Sequence, residues 1–375
     1  TERQKPLIEK GLHMSNRKIL HVDMDSFYAS VEKERKGLEG PIVIGVYSGR
    51  SEDSGAVSTA SYEARDLGIH AAMPITRAKS MAEDSEEEVH FLPMDREYYR
   101  KVSDEIREEV YERFAERIEQ ASIDEAYLDV TEEVESFEEA EEVARKIQEE
   151  VKEKFEITCS IGIGPNKLVA KIASDREKPE GLTEVTPEEV KEFMRSLELE
   201  EIHGIGEKTV EKLEGLGITS VGELAEADTR KLVREFGENL GVKIQRKARG
   251  EDEEAVEEKM QKQFTRITTL DQNSRSFNHV RSYFPDLTDE LVEQLEENDL
   301  RFGRVTLVVI DSSIEMHTRS QTLKSRVSDR ETIIDEGENL LQDFLNNFEG
   351  EVRRVGLRVS DLSEFSNRSL ESFQG

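Results

Sequence analysis

Two short acidic clusters, about a hundred residues apart, carry the residue types that could do chemistry. Asp23 and Asp25 follow the apolar run that ends at Val22, and Asp124 and Glu125 lie within a second strand-like run. Burying several carboxylates is costly unless positive charge neutralises them. A pair of divalent metal ions would do so, and would also serve an in-line phosphoryl displacement. The alternative is that these side chains lie at strand edges or turns and face water, as most Asp and Glu do.

The strands and helices that must position these clusters can be predicted from apolar spacing. Strands are predicted over residues 18–22, 41–46, 122–130 and 157–164. Helices are predicted over residues 25–34, 98–119, 137–155 and 166–173. This order favours an α+β layer with its helices on one face.

The charge of the chain is extreme. Its 375 residues include 84 acidic and 52 basic side chains, and the net charge is -32. Such a charge ordinarily argues against a polyanionic partner, because non-specific nucleic-acid binding depends on Lys and Arg. At 1 M salt, however, the Debye length is only about 3 Å, so distant charges barely interact. We therefore interpret the charge as a sign of a halophilic habitat and not as evidence about the ligand.

The single cysteine bears on the cellular compartment. Cys159 has no partner for an intrachain disulfide, which indicates a reducing cytosol. No apolar run approaches membrane-spanning length, and the N-terminal segment has no apolar signal region. We expect a cytoplasmic protein without a membrane partner, and we expect residues 1–16 to be a flexible extension.

A glycine hairpin lies between two short predicted helices. Gly204 and Gly206 flank Ile205, and small residues let backbone N–H groups approach a phosphate. Lys208 and Thr209 fall in the first turn of the second helix, whose dipole also favours an anion. The pattern indicates a phosphate contact, with a purely structural corner as the alternative.

The C-terminal third has a different composition. Residues 251–258 form a charge run without apolar periodicity, which indicates a linker. Alternating residues around 264–270, 305–310 and 353–359 predict strands, with two helices between them. Arginines lie on or beside these strands: Arg266, Arg275, Arg281, Arg353 and Arg354. They indicate a polyanion contact, or they pair with surface acids.

Four motifs occur here in the order seen in Y-family DNA polymerases. They are VDMDSFYA at residues 22–29, SIDEAYLD at 122–129, GPNKLVAK at 164–171 and GIG at 204–206. Over residues 17–361 the chain resembles the DNA polymerase IV (DinB-like) group of that family. The resemblance implies an α+β right-hand polymerase. Its parts would be a palm (17–26 and 93–185), small fingers (27–92), a helical thumb with a helix-hairpin-helix (186–250), a linker (251–262), an α/β little finger (263–361) and a tail (362–375).

The resemblance also implies an activity, namely translesion, template-directed DNA synthesis of low fidelity, without a proofreading domain. Asp23, Asp124, Glu125 and the Met24 carbonyl resemble the ligands of two Mg²⁺ ions, for which Mn²⁺ could substitute. One ion would lower the pKa of the primer 3′-hydroxyl, and the other would neutralise the triphosphate. Asp25 has the right parity to join them, but its place at the start of a helix favours N-capping.

Further residues resemble a nucleotide site. Thr59, Tyr62 and Arg65 are spaced by three, which predicts one helical face, and with Lys178 they resemble the residues that hold a triphosphate.

Two aromatic residues belong to the same resemblance. Tyr28 resembles the bulky residue that crowds a sugar 2′-hydroxyl and selects deoxynucleotides, with an ordinary core aromatic as the alternative. Phe27 is expected to border the nascent base pair.

The linker and the tail depart from the family pattern. The linker is acidic, whereas relatives often have a basic one that touches DNA. The tail resembles a sliding-clamp peptide anchored through Leu370 and Phe373, although Asn367 and Gln374 deviate from it; a disordered acidic tail is the alternative. The implied partners are primer–template DNA, deoxynucleoside triphosphates and the sliding clamp, and we expect a monomer.

Two other functions compete with polymerisation. A palm-type nucleotide cyclase would convert nucleotides without primer or template, and a non-catalytic scaffold would bind DNA without Mg²⁺-dependent extension. The glycine hairpin and the arginine-bearing C-terminal region argue against the cyclase, which needs no grip on a duplex.

Overall fold

The computed structural model describes residues 16–51 and 53–365, and the chain divides into two compact units. The first consists of the chain up to Val46 and of Ala56–Lys259, and the second of Tyr47–Gly55 and the chain from Met260 onward. Within the described ranges, no helix is both long and apolar enough to cross a bilayer. Residues 1–15 of the predicted extension and the predicted clamp residues Leu370 and Phe373 lie outside the described residues.

The first unit contains strands and helices that alternate and then give way to helices alone. Its strands are β1 (Ile19–Met24), β2 (Ile42–Tyr47), β3 (Gly55–Ala60), β4 (His90–Pro93), β5 (Arg117–Gln120), β6 (Glu125–Asp129), β7 (Cys159–Gly164) and β8 (Leu182–Glu184). Its helices are α1 (Phe27–Lys36), α2 (Tyr62–Asp66), α3 (Ile75–Glu83), α4 (Arg96–Glu109), α5 (Phe137–Phe155), α6 (Lys167–Ser174), α7 (Val190–Arg195), α8 (Glu207–Gly215), α9 (Val221–Glu226), α10 (Thr229–Phe236) and α11 (Glu238–Ala248).

A five-stranded sheet in the order β5-β6-β1-β7-β8 forms the centre of this unit, and β3-β2-β4 form a smaller one. β1 pairs antiparallel with both β6 and β7. Because side chains alternate along a strand, Leu20 of β1 packs with Ile106 of α4 and Ile147 of α5, whereas Ile19 packs with Ala170 of α6. Helices therefore cover both faces of the sheet, and the prediction of helices on one face was wrong.

Several predicted boundaries differ from the structure near the acidic motifs. β6 begins at Glu125, so Asp124 precedes the strand instead of lying in its middle. The helix predicted to reach residue 119 ends at Glu109, and a 3₁₀ turn and β5 follow it. Thr59 belongs to β3. Ser61 is extended and caps α2 by accepting from the Ala64 N–H, so the helix begins only at Tyr62. The single helical face predicted for Thr59, Tyr62 and Arg65 was therefore wrong.

The start of α1 also differs from the prediction. Ser26 occupies the N-cap position in a left-handed conformation (φ 46°) without a capping side-chain bond. The Asp25 carboxylate instead accepts hydrogen bonds from Thr158 and Ser160, on and beside β7. The N-capping role predicted for Asp25 was wrong because its side chain is directed at the sheet.

The second unit is a sheet of long strands with helices. Its strands are β9 (Gln263–Ser274), β10 (Leu300–Asp311), β11 (Met316–Val327), β12 (Val352–Ser360) and β13 (Ser363–Glu364), and its helices are α12 (Phe277–Arg281), α13 (Phe284–Glu297) and α14 (Arg330–Asn346). The strand order is β11-β10-β12-β9, with β13 paired to β10. Phe284 of α13 and Phe344 of α14 pack with Leu307 and Leu357 of the strands.

Close approach between α6 and β7 depends on a glycine. A Cβ at Gly162 would overlap the Ala170 carbonyl oxygen and the Ser174 backbone nitrogen. Gly162 is the cross-strand partner of His21 in β1, so the contact fixes α6 over the strand that carries Asp23.

We predict that Gly162→Ala lowers the free energy of unfolding by about 1–3 kcal/mol or more, which is the usual cost of overpacking a close-packed core. Denaturant unfolding followed by circular dichroism would measure it. Gly215→Ala is the matched control, since a Cβ there meets no atom within 4 Å. Equal stability of the two variants would contradict this account of α6.

Candidate active site

The acidic residues of both motifs meet at one end of the central sheet. Asp23 in β1 is the direct cross-strand partner of Glu125 in β6. Asp124 adjoins them, because the Met24 N–H donates to its carbonyl oxygen at 2.9 Å. The Asp124 side chain is held in turn by the Ser122 hydroxyl, which donates to Oδ1 at 2.6 Å. The structure thus brings together the carboxylates of two motifs that lie about a hundred residues apart in sequence.

Asp23 is the most buried of the three, with 8 % of its surface exposed. Burial raises the pKa of its carboxyl to about 6, although Lys178 opposes the shift. The Lys178 ammonium lies 2.7 Å from Asp23 Oδ2 and 2.7 Å from Asp175 Oδ1. Burial alone would lower the pKa of Lys178, but these two carboxylates outweigh it and raise the pKa. Lys178 therefore stays charged beside Asp23.

Glu125 has a different set of neighbours. Its Oε2 accepts from Lys171 Nζ at 2.7 Å and lies 3.5 Å from His21 Nε2. The His21 ring and the Lys171 ammonium lower the pKa of Glu125 to about 2. His21 is fully buried, and burial lowers its own pKa. Glu125 is therefore ionised, and neither of these neighbours was predicted as a site residue.

The chemistry of the donor set suits a divalent cation. Three carboxylates and the backbone of Met24 offer hard oxygen ligands, which Mg²⁺ prefers. The raised pKa of Asp23 indicates that its charge is incompletely neutralised by the protein itself. A cation next to Asp23 would remove that cost.

A cleft of about 320 Å³ lies beside these carboxylates. Its lining includes predicted residues from both motifs and from the nucleotide set: Asp23, Met24, Phe27, Tyr28, Thr59, Tyr62, Arg65, Asp124, Glu125 and Lys178. Ser26 and Ser58 complete it, and the Ser26 hydroxyl is buried without a hydrogen-bond partner among the described residues. The cleft therefore joins every residue that the sequence placed at the metal and nucleotide sites.

The cationic and aromatic side chains of the cleft are partly ordered by one another. The Arg65 guanidinium lies 4.9 Å from the centroid of the Tyr62 ring, and its Nε donates to the Ala60 carbonyl oxygen at 2.9 Å. The Tyr28 ring stacks on Tyr99, with centroids 4.6 Å apart and an angle of 17°. Phe27, with 2 % exposed surface, is mainly a core residue that reaches the cleft edge.

The glycine hairpin is built as a helix N-terminus. Gly204 has φ +95°, and Gly206 precedes α8 in an extended conformation with no atom near its Cβ position. Lys208 and Thr209 lie in the first turn of α8. Lys247, which the sequence analysis did not single out, donates to the His203 carbonyl oxygen at 2.6 Å. The backbone at Gly206 is therefore not covered by neighbouring atoms, and Lys247 adds a positive charge beside the hairpin.

The arginines of the second unit do not share one surface. Arg266 is the cross-strand partner of Leu357 on the helix-covered face, and it pairs with Glu290 at 2.8 Å. Arg275 donates to the Leu345 carbonyl oxygen. Arg281 pairs with Glu338. The structure therefore ties these three arginines to the unit's own helices.

We call the sheet face that alternates away from Leu357 the open face, and it carries Arg304, Thr306, Arg354 and Arg358. Arg358 is the partner of Thr306, and Arg304 is the partner of Ser360. Burial, with a contribution from Arg353, lowers the pKa of Arg354. Of the predicted set Arg354 lies on this face, while Arg304 and Arg358 were not singled out because strand register decides the face.

Three family patterns match the chain. The pattern of the impB/mucB/samB family matches residues 22–175, that of its C-terminal domain residues 261–372, and that of the IMS family HHH motif residues 187–218. DNA polymerase IV of Methanosarcina acetivorans is 39% identical over 361 residues, which cover 94% of this chain and 97% of that protein. DNA polymerase IV of Methanoculleus marisnigri is 43% identical over 364 residues, which cover 96% and 98%.

Solved structures give the same result. A Y-family DNA polymerase chimera of Dbh and Dpo4 is similar with a TM-score of 0.85 and 34% identity, over 92% of this chain and 99% of that one. An insertion ternary complex of Dbh DNA polymerase has a TM-score of 0.68 and 33% identity over the same shares. The predicted α+β fold with a helix-hairpin-helix and a C-terminal domain is confirmed. The chain belongs to the Y family of DNA polymerases, in the DNA polymerase IV group.

Proposed function

We propose that the cleft at Asp23 catalyses the template-directed addition of deoxynucleotides to a primer 3′ end. The chain is a DNA-directed DNA polymerase of the translesion type, like the DNA polymerase IV proteins that it matches over nearly their whole length. One observation carries the assignment of the site. The carboxylates of Asp23 and Glu125 come from paired strands and share a cleft with Tyr62, Arg65 and Lys178.

Y-family polymerases use divalent metal ions in catalysis. We infer that Asp23, Asp124, Glu125 and the Met24 carbonyl hold two Mg²⁺ ions in this chain, and that Mn²⁺ can replace them. When bound, such ions lower the pKa of the primer 3′-hydroxyl and neutralise charge on the triphosphate and the leaving pyrophosphate. The pairing of Glu125 with Lys171 keeps that carboxylate ionised and oriented for this task.

Four side chains are proposed to hold the triphosphate. Lys178 and Arg65 supply positive charge, and Tyr62 and Thr59 supply hydroxyl donors, all lining the same cleft. Guanidinium and ammonium groups bind phosphate oxygens through charge-assisted hydrogen bonds. The high basicity of Lys178 beside Asp23 and Asp175 keeps it protonated when a nucleotide arrives.

Tyr28 is proposed to discriminate against ribonucleotides. Its ring is stacked on Tyr99, so it cannot swing freely to make room for a sugar 2′-hydroxyl. Phe27 supports the position of Tyr28 from the core, with ring centroids 5.9 Å apart.

Two surfaces are proposed to contact primer–template DNA. The first is the hairpin at Gly204 and Gly206 with Lys208 and Thr209, where backbone N–H groups and a helix dipole favour phosphate. The second is the open face of the second unit, to which Arg354 belongs. Arg266, Arg275 and Arg353 remain predicted contacts, although ion pairing of Arg266 reduces its availability. Binding of the sliding clamp through Leu370 and Phe373, a monomeric state, a cytoplasmic location, low fidelity and the lack of proofreading also stay predictions.

We predict that Asp124→Asn and Glu125→Gln each slow primer extension by about 10²-fold or more, the usual effect of removing a preorganised electrostatic group. Single-nucleotide extension with Mg²⁺ would measure it. Glu132→Gln removes an exposed acid that pairs with Arg117, and it should stay within about twofold of the parent. Undiminished extension by both site variants would eliminate the proposed site. Nucleotide turnover without primer or template would instead favour a cyclase.

We predict that Tyr28→Ala raises ribonucleotide incorporation, relative to deoxynucleotides, by about 10²-fold, because a pocket without the ring no longer excludes the 2′-hydroxyl. The ratio of kcat/KM for the two sugars is the measurement, and it cancels losses common to both. Tyr28→Phe keeps the stacked ring and should keep the discrimination. Unchanged sugar selection in Tyr28→Ala would refute the role of a gate.

The acidic surface yields a salt prediction. If the net charge of -32 is an adaptation to salt, folding and extension should improve as KCl rises toward molar levels, because self-repulsion is screened. Phosphate contacts weaken over the same range, so the two trends oppose each other. Best stability and activity in dilute buffer would contradict the halophilic interpretation.

A further inference from the structure

We propose that Asp25 is a positioning residue that holds Tyr62 and the backbone after Lys178 in the geometry needed to bind the triphosphate. This inference rests on the proposed nucleotide site and deepens it. Asp25 belongs to the first acidic motif, yet it does not line the cleft that Asp23 and Glu125 share.

The Asp25 carboxylate is buried, with 3 % of the residue exposed, and four groups donate to it. Oδ1 accepts from the Ser160 hydroxyl at 2.8 Å and from the Tyr62 hydroxyl at 3.4 Å. Oδ2 accepts from the Thr158 hydroxyl at 2.8 Å and from the Glu180 N–H at 2.9 Å. These donors come from α2, from β7 and the residue before it, and from the segment after Lys178, so one carboxylate joins three separate parts of the unit.

The same four bonds argue against a direct role in metal binding. An ionised carboxylate has about four lone-pair sites, and protein donors occupy all four on Asp25. Asp23 differs, since within residues 16–51 and 53–365 its carboxylate accepts from one side chain, that of Lys178. Asp25 is thus occupied as a structural acceptor, whereas Asp23 can exchange its partner.

The segment after Lys178 depends on this acceptor. Glu180 has a left-handed backbone with φ +56°, which non-glycine residues rarely adopt unless their surroundings impose it. The Glu180 N–H is held by Asp25. The next N–H, that of Gly181, donates to the Ser160 hydroxyl at 3.2 Å, and that hydroxyl itself donates to Asp25. Two consecutive N–H groups are therefore anchored directly or indirectly by one carboxylate, two and three residues beyond Lys178.

Tyr62 is the second group that Asp25 orients. Its hydroxyl bond to Oδ1 is long, at 3.4 Å, so the anchoring of the Glu180 segment carries most of the effect. Tyr62 also contacts the Arg65 guanidinium through its ring. A change at Asp25 should therefore reach Lys178 and Tyr62 together, and it should be felt in nucleotide binding more than in binding of DNA.

The test compares Asp25→Ala, Asp25→Asn and the parent chain by steady-state single-nucleotide insertion. Asp25→Ala removes every anchor, and we expect the KM for the incoming nucleotide to rise at least tenfold, with kcat changed less and the Kd for primer–template unchanged. An asparagine oxygen can still accept from the Glu180 N–H and the Thr158 hydroxyl, while the Ser160 and Tyr62 hydroxyls reverse to accept from its amide. Asp25→Asn should therefore recover the KM to within about threefold of the parent.

A second variant covers the case in which Asp25→Ala does not fold. Ser160→Ala keeps the carboxylate but removes the hydroxyl between Asp25 and Gly181, and it should raise the nucleotide KM several-fold. Asp129→Ala is the matched control, because Asp129 is a buried carboxylate of the same sheet that accepts from Thr131 and does not line the cleft. It should lower stability without moving the nucleotide KM.

Three results would overturn the proposal. They are an unchanged KM in Asp25→Ala and Ser160→Ala, an equal KM rise in Asp129→Ala, and a rise in the half-saturating Mg²⁺ concentration in Asp25→Asn like that of a metal-ligand variant. Failure of the proposed polymerase site is a separate outcome, since it would appear as retained extension in Asp124→Asn and Glu125→Gln. If those variants are inactive while Asp25 variants keep the parent KM, only the positioning role fails.

Discussion

Repulsion between two carboxylates is the constraint around which the first unit is arranged. Cross-strand pairing sets Asp23 opposite Glu125, a juxtaposition of like charges that destabilises a sheet. The two carboxylates stay adjacent, and their different neighbours shift their pKa values in opposite directions. Lys171 and His21 hold Glu125 ionised, whereas Asp23 is left in a buried setting that raises its pKa. The protein therefore holds Glu125 ionised, whereas Asp23 keeps a raised pKa even though Lys178 lies beside it.

The position of α6 makes this asymmetry possible. Gly162 lets the helix backbone lie directly on β7. Ser174, at the end of α6, forms a hydrogen bond of 2.8 Å between its hydroxyl and Nδ1 of the His21 ring. Lys171 then reaches Glu125 from the helix side of the sheet. A helix packed this closely on a strand has little freedom to move. The Lys171 ammonium is therefore held in place beside Glu125. Packing in the core thus determines the charge state at the end of the sheet that carries Asp23 and Glu125.

Local motifs were sufficient to predict which residues meet in the cleft, because Asp23, Tyr62 and Lys178 each stand in a short recognisable pattern and all line it. The fold class followed from the same motifs. The sequence did not predict what depends on register or on tertiary contacts. The face of Arg266 is set by its pairing with Leu357, and three of the four bonds of Asp25 come from residues more than a hundred positions away. Neither the strand register nor these long-range hydrogen bonds produce a periodic pattern in the sequence.

The acidic linker shows how negative charge can serve the fold itself. Asp252 accepts from the Leu168 N–H at the start of α6 at 3.2 Å, and Glu254 lies 3.5 Å from Lys167, which is bonded to Glu119. Lys167 and Lys171 stand one helical turn apart. Glu119, with Glu254 of the linker, neutralises Lys167, while Glu125 neutralises Lys171. Two acids of this segment are therefore engaged with the helix whose Lys171 pairs with Glu125. Replacing Asp252 and Glu254 with basic residues would remove the acceptor of the Leu168 N–H and one partner of Lys167, so the acidic character of the linker contributes to the internal packing of the first unit.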